Sequence, residues 1–488
     1  MPSINRTILQ VFHWYTPNDG TLWKELSNQA ESLVKVGFTA VWLPPASKGC
    51  VGPYDVGYTS YDLFDLGEFD QRQTIRTKYG TKDEYANAVK VAKHVGLHIY
   101  ADVVFGNKSG GDDEEEFEAI PLNRNDFSCA EGDDRRIKSR TKFDFHGRGN
   151  NYSSMKWHWW HFNLTYFDSY KSWVEQAYLV AEKHLDYFVD PRRASNYDYA
   201  HMMDCHLDFE SEEVCNELMH WGCWFLNTVE VDGFRFNAAE QVSTQFLQTW
   251  IEHVSQYANR FLFGVSDYWS NEIDLLLCYI SETNKLVSLF DVPLHYKFHY
   301  ASRSGNNYDM RHILDGTLMQ QCSTHAVTFV ENHDSQPLRE LESSVEPWFK
   351  PLAYALILLR AEGYPCVFYA DYYGAEYEDR YQIFLPSHRW LIDKFLHARQ
   401  NFAYGPQYDY FDHWNVIGWT RLGDTEHPQA IAVIMSNGAE GSKWMEVGKP
   451  NTKFIDLVEH IKEPVYTNEA GWGEFYCKGS SVSVWIEH

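Results

Sequence analysis

Short apolar runs rich in β-branched residues recur along the whole chain. They are Thr7–Phe12, Phe38–Pro45, Leu97–Val104, Val231–Asn237, Phe261–Asp267, Val287–Val292, Val327–Asp334 and Tyr364–Tyr369. Between most of them lie amphipathic stretches. Leu22–Val36, Thr81–Val95 and Ser211–Val229 carry apolar residues at i, i+3 and i+4, the period of a helix with one buried face. Eight strands alternating with helices predict an α/β fold, a closed parallel (β/α)8 TIM barrel. The gap between the third and fourth runs is too long for one helix, so residues 105–209 are expected to form an inserted domain after strand 3. The acidic run Asp112–Glu116 inside it reads as a solvated loop. After about Ala398 the pattern turns to short alternating strands with Gly turns, which predicts a C-terminal all-β domain, a sandwich over 398–488. The barrel then takes 1–104 and 210–397, a division that suits a chain of 488 residues.

Charge narrows the partners. A net charge of -26 and a pI near 5.2 argue against nucleic acid or an anionic membrane surface, because like charges repel. A neutral sugar polymer is compatible with that charge. The 18 Trp and 32 Tyr fit sugar stacking as well as core packing. Nine cysteines without a CxxC pair fit buried thiols in a reducing compartment. Met1–Gln10 has no basic-then-apolar leader, and no apolar run approaches twenty residues, so a cytoplasmic location without membrane contact is expected. N-x-S/T sequons at Asn5, Asn107, Asn151 and Asn163 carry little weight without a secretion signal.

In a barrel of this kind, reacting groups sit just past the C-terminal ends of the strands. The polar residues there are Asp102, Asn107, Arg235, Asn237, Asp267, His333 and Asp334. An aspartate at a strand end often only caps the next helix, but polar groups at several strand ends together point to a site, in which Asp102, Asn107, Arg235 and His333 are expected to bind the substrate.

The stretches LQVFHWYTPNDGTLW, GFTAVWLPPASKG, VGYTSYDLFDLGEF, RTKYGTK, KWHWWHF, DVPLHYKFH, FVENHDSQP, WFKPLAYA and GWGEF resemble, in order and over nearly the whole length, the glycoside hydrolase family 13 α-amylases of the liquefying bacterial and intracellular fungal type. The resemblance implies three carboxylates: a nucleophile after the fourth strand, a glutamic acid after the fifth, and a stabilising aspartate after the seventh, working by retaining double displacement. GFRFNAA, FGVSDYW and ENHD place Asn237, Asp267 and Asp334 at those positions. Only Asp334 matches, together with Arg235 and His333. An amide cannot form the glycosyl ester, and losing a covalent nucleophile costs on the order of 10⁴ to 10⁶ in rate. Asp267 keeps a proton donor but falls short by about 1.5 Å, which can cost roughly 10².

Other departures follow from the same resemblance. In DVVFGN, Gly106 replaces a calcium-binding Asn and Asn107 replaces a sugar-binding His. Glu240-Gln241 replaces a Lys-His pair. Asp186, Asp198 and Asp204 align with calcium ligands and Asp208 with a neighbouring aspartate, while Asn163 and His206 stand where aspartates are expected. Trp414, Asn415 and Asn437 stand at a second metal position in place of a His and two aspartates. Weak calcium binding or none is expected, and no other cofactor. Tyr58, Trp14 and Tyr15 match sugar-facing aromatics, although His13 departs from a glutamate beside them. Phe105, Phe236 and Trp414 are large enough to fill the cleft. These departures lead to the expectation of an inactive relative, a pseudoenzyme. It would bind α-glucan or maltooligosaccharide, or serve a protein partner or homo-oligomer. The alternative is an α-glucan hydrolase of weak or altered, inverting activity.

Overall fold

The computed structural model describes residues 5–123, 126–171, 176–183 and 204–488. Eight strands close into a parallel barrel, each paired with its chain neighbours and the last with the first. They are Ile8–Gln10, Ala40–Leu43, His98–Val103, Gly233–Phe236, Phe263–Ser266, Ser288–Phe290, Ala326–Phe329 and Tyr364–Phe368. Seven of them fall inside the runs read from the sequence, and the seventh in chain order, Ala326–Phe329, starts one residue before its run. The observed strands are shorter because the polar ends turn out of the ladder to form the mouth of the barrel.

The helices follow the amphipathic spacing. Leu22–Val36 buries Leu22, Trp23, Leu26, Ala30 and Leu33. Lys82–His94 is started by Thr81, whose hydroxyl accepts from the Glu84 amide while the Glu84 carboxylate accepts from the Thr81 amide, a reciprocal cap that fixes the helix N-terminus. Glu212–Thr228 packs Trp221 and Phe225 inward. Phe105 and Phe236 join Trp221 and Trp250 in an aromatic core cluster. They therefore do not fill the cleft, and Trp414 stands exposed at the junction with the C-terminal strands.

The insert is a sheet, and the acidic run belongs to it. Asp113–Asn123 pairs antiparallel with Arg135–Lys142, so the expected solvated loop is instead a strand. The partner strand reads RRIKSRTK, and cross-strand ion pairs join Glu116 to Arg136 at 2.9 Å and Glu114 to Lys138 at 3.0 Å. Opposite charges facing across a ladder remove the repulsion that would keep an isolated acidic run in solution.

After the helix Arg389–Asn401, the chain forms a six-stranded antiparallel sheet that begins at Gln407–Tyr410. It faces a two-stranded ribbon of Gly441–Glu446 and Trp472–Cys477. Not all the thiols are buried: Cys205, Cys366 and Cys477 are, whereas Cys129 and Cys278 are exposed. No helix among the described residues is long and apolar enough to cross a membrane.

Candidate active site

The third, fourth and fifth strands set the floor. Arg235 stands in register between Asp102 and Val265, so its side chain enters the barrel beside that of Asp102. It is fully buried. Its Nη1 donates to both Asp102 oxygens, at 3.0 and 3.1 Å, and to Asn237 Oδ1 at 2.8 Å. Its Nη2 donates to Asp267 Oδ2. Beyond the strand ends the backbone locks the same corner: the Asn237 amide donates to Val103, the Asp267 amide to Phe236, and the Ala239 amide to Asp267. Ala238 between them adopts a left-handed φ of 43°, the turn that carries the chain from the Asn237 strand end to Glu240.

Burial dominates the electrostatics. It lifts Asp102 to about 6 against the pull of Arg235. It lifts Asp267 to about 6 as well, again against Arg235, with Asp334 and Asp102 adding to the rise. Burial pulls the Arg235 guanidinium down, but Asp102 and Asp267 more than offset it and raise it above its ordinary value. Buried His333 falls to about 3 and is neutral. The Gln10 amide meets its Nδ1 at 3.0 Å. If that amide donates, the ring proton sits on Nε2, which is 3.3 Å from Asp334 Oδ2.

Asn107, Asn237, Asp267, Asp334, Tyr58 and Trp14 line one cavity of about 390 Å³, within the range of small-ligand sites. Four residues expected to touch sugar lie elsewhere. Asp102, Arg235 and His333 are buried beneath the floor, and Asp102 also accepts from Tyr58 at 2.8 Å and Trp42 at 3.0 Å. Tyr15 stacks on Tyr377 at 4.2 Å and donates to Asp379, outside the cavity. Tyr166, Trp269 and Arg339 line it without having been singled out from sequence. The Arg339 guanidinium lies 3.3 Å from the centre of the Trp14 ring, so one face of that expected sugar wall is already covered. Gly106 and Gln241 fit against each other: a Cβ on Gly106 would come within 2.8 Å of the Gln241 Cβ.

The described calcium candidates do not make an oxygen cage. Asp186 and Asp198 lie outside the described residues, as does the Asp204 side chain. Asp208 accepts the Lys183 ammonium at 2.5 Å. His206 is held neutral by burial, its pKa falling to about 3. A lysine-capped carboxylate and an imidazole are poor substitutes for the about six to eight oxygens calcium takes. The second candidate position is held by amide hydrogen bonds. Asn437 Nδ2 donates to the carbonyls of Gly305 and Tyr308, both at 2.8 Å, while the Trp414 carbonyl accepts from Met310 and Asn415 bonds Ser436. Here the Asn437 amide supplies the positive end that the two carbonyls need. Asn437→Asp is expected to strip both carbonyls of their donor, costing about 1–3 kcal/mol, and to create a need for a divalent ion. Thermal melts of the variant should fall in EDTA and recover in calcium, by more than those of the unaltered protein. Equal shifts in the two proteins would refute the substitution of donor for ion.

Comparison with known proteins identifies the family. The catalytic-domain model of the α-amylases matches residues 18–383.

The chain belongs to the α-amylase family.

Its relatives include an α-amylase of Geobacillus stearothermophilus, 47% identical over 99% of this chain and 87% of that protein. They include a glucan 1,4-alpha-maltohexaosidase of Bacillus sp. (strain 707), 46% identical over 99% of this chain and 92% of that protein. A cytoplasmic α-amylase of Escherichia coli (strain K12) is 42% identical, covering 99% of each. Among solved structures, the α-amylase of Geobacillus thermoleovorans complexed with acarbose has the same fold, with a TM-score of 0.66 and 15% identity over 99% of this chain and 98% of that one.

Proposed function

We propose that this family member is an α-glucan hydrolase of the α-amylase type with weak turnover and altered chemistry. α-1,4-linked maltooligosaccharide binds in the cleft. Asp267 gives its proton to the leaving glycosidic oxygen as the anomeric C–O bond breaks. Water attacks the anomeric carbon in place of residue 237, and its proton passes to Asp334. Such a displacement inverts the anomeric centre. The observation that carries the reading is the triangle of Arg235, Asn237 and Asp267, which keeps a protonatable acid beside an amide that cannot be the nucleophile. Relatives named as active amylases support the substrate class, and the cytoplasmic relative supports action in that compartment.

The test is the stereochemistry of the first product. Proton NMR of maltoheptaose digests should show β-configured reducing ends, and Asp267→Asn should reduce release to the level of the blank. The pH profile follows from the acid: above its pKa of about 6, the protonated fraction falls about tenfold per pH unit, so the rate falls as pH rises. An α-configured product would remove the proposal.

The amide at 237 favours a second reading, a glucan-binding protein without catalysis. It predicts maltoheptaose binding with no product at any pH.

A further inference from the structure

A groove away from the catalytic cleft runs between the insert and the helix Glu212–Thr228, with a volume of about 690 Å³. Its wall carries Trp160, which is 42% exposed, whereas Trp157 three residues earlier is buried. An exposed indole usually moves freely; this one is braced. The His158 ring stacks on it at 4.4 Å, tilted by only 9°. His158 is itself held by the Glu115 carboxylate at 2.7 Å from its Nδ1. Glu115 also accepts from the Trp159 amide and the Thr141 hydroxyl, which fixes it in the insert sheet. A half-buried carboxylate thus orients an imidazole, and the imidazole supports a flat apolar ring at the surface.

Hydrogen-bonding groups surround the ring. Glu213, 73% exposed in its side chain, meets His161 at 3.0 Å, and exposed Asn216 follows one turn further along the same helix face. A rigid aromatic face in a groove also lined by Lys156, Glu213, Asn216 and His220 offers donors and acceptors to a hexose, whose C–H face packs on the ring while its hydroxyls reach the rim. The net charge of -26 disfavours a polyanion. An apolar protein surface would leave the Glu213 carboxylate desolvated.

We infer that this groove is a second, non-catalytic site for a neutral α-glucan chain, with Trp160 as its platform. The identity of the sugar rests on the reading of the cleft; the platform itself does not. Pre-ordering of the indole removes the cost of immobilising it on binding. A chain held here keeps a long polymer at the surface while another segment occupies the cleft.

Calorimetric titration with maltoheptaose tests this on the full chain. The unaltered protein should bind two molecules, Trp160→Ala one, and Asp334→Ala one. The groove affinity should fall at least about tenfold in Trp160→Ala and return in part in Trp160→Phe, which restores a ring. Two sites persisting in Trp160→Ala would overturn the proposal. So would a single site in the unaltered protein that responds to Asp334→Ala and not to Trp160→Ala, with the cleft reading intact. A single site lost only in Trp160→Ala would uphold the groove and remove the cleft. No binding at all would remove both.

Discussion

The double variant Asn237→Asp, Asp267→Glu is expected to hydrolyse starch on the order of 10⁴ times faster than the natural chain. The geometry says why both changes are needed. Arg235 Nη1 holds the Oδ1 of Asn237 at 2.8 Å, so the other side-chain atom at 237, now an amide nitrogen, is the one left for the cavity. It presents protons where an attacking lone pair is required. An aspartate keeps the Arg235 contact and turns a charged oxygen toward the sugar. It also adds a third carboxylate beside Asp102 and Asp267, which raises the acid further and keeps it protonated at neutral pH. Glutamic acid at 267 moves that proton outward by about 1.5 Å, away from Arg235 and toward the leaving oxygen. Neither single variant should approach the pair, because acid and nucleophile act in one step. The double variant should also give α-configured product, the sign of double displacement. Initial rates of reducing-end release decide it; a gain under about tenfold would mean that other replacements, Asn107 and Glu240 among them, limit the cleft.

The barrel was legible because its strands are buried on both faces and read as continuous apolar runs. All eight were recognisable without any partner. The insert was less so. A run such as Asp112–Glu116 becomes a strand only because Arg136 and Lys138 lie opposite, a pairing separated by about twenty residues and invisible to local pattern. The site divides the same way. Residues at strand ends, Asn107, Asn237, Asp267 and Asp334, were placed by the barrel and do line one cavity. Tyr166, Trp269 and Arg339 sit in connecting segments with no periodicity to read. Arg339 follows Leu338, whose φ of 70° is the left-handed turn that swings the guanidinium over Trp14. Asp102 was read as a sugar contact because strand-end position does not distinguish a group facing the cavity from one facing Arg235 below it.

Removing that arginine is the harshest single test of the floor. Arg235→Met is expected to destabilise the protein by about 3–5 kcal/mol near pH 8, because two buried carboxylates lose their only close cation among the described residues. The loss should shrink in acid, and the sign follows from burial. Asp102 and Asp267 have folded pKa values raised to about 6, above the roughly 4 of an unfolded chain. The folded state therefore binds more protons between those values, and stability falls as pH rises through that window. Without Arg235 both carboxyls rise further, so the window extends upward and the deficit grows toward neutral pH. At pH 4 both are protonated in the variant, and what remains is the cost of the lost hydrogen bonds to Asp102, Asn237 and Asp267, each about 1 kcal/mol. Denaturant titrations of the variant and the unaltered protein at pH 5 and pH 8 measure the difference. A deficit equal at both pH values would show that the arginine stabilises by packing against Trp42 and Tyr58 rather than by charge. In that case the carboxyl groups would be neutral in the natural chain too, and Asp267 would remain a proton donor well above pH 6.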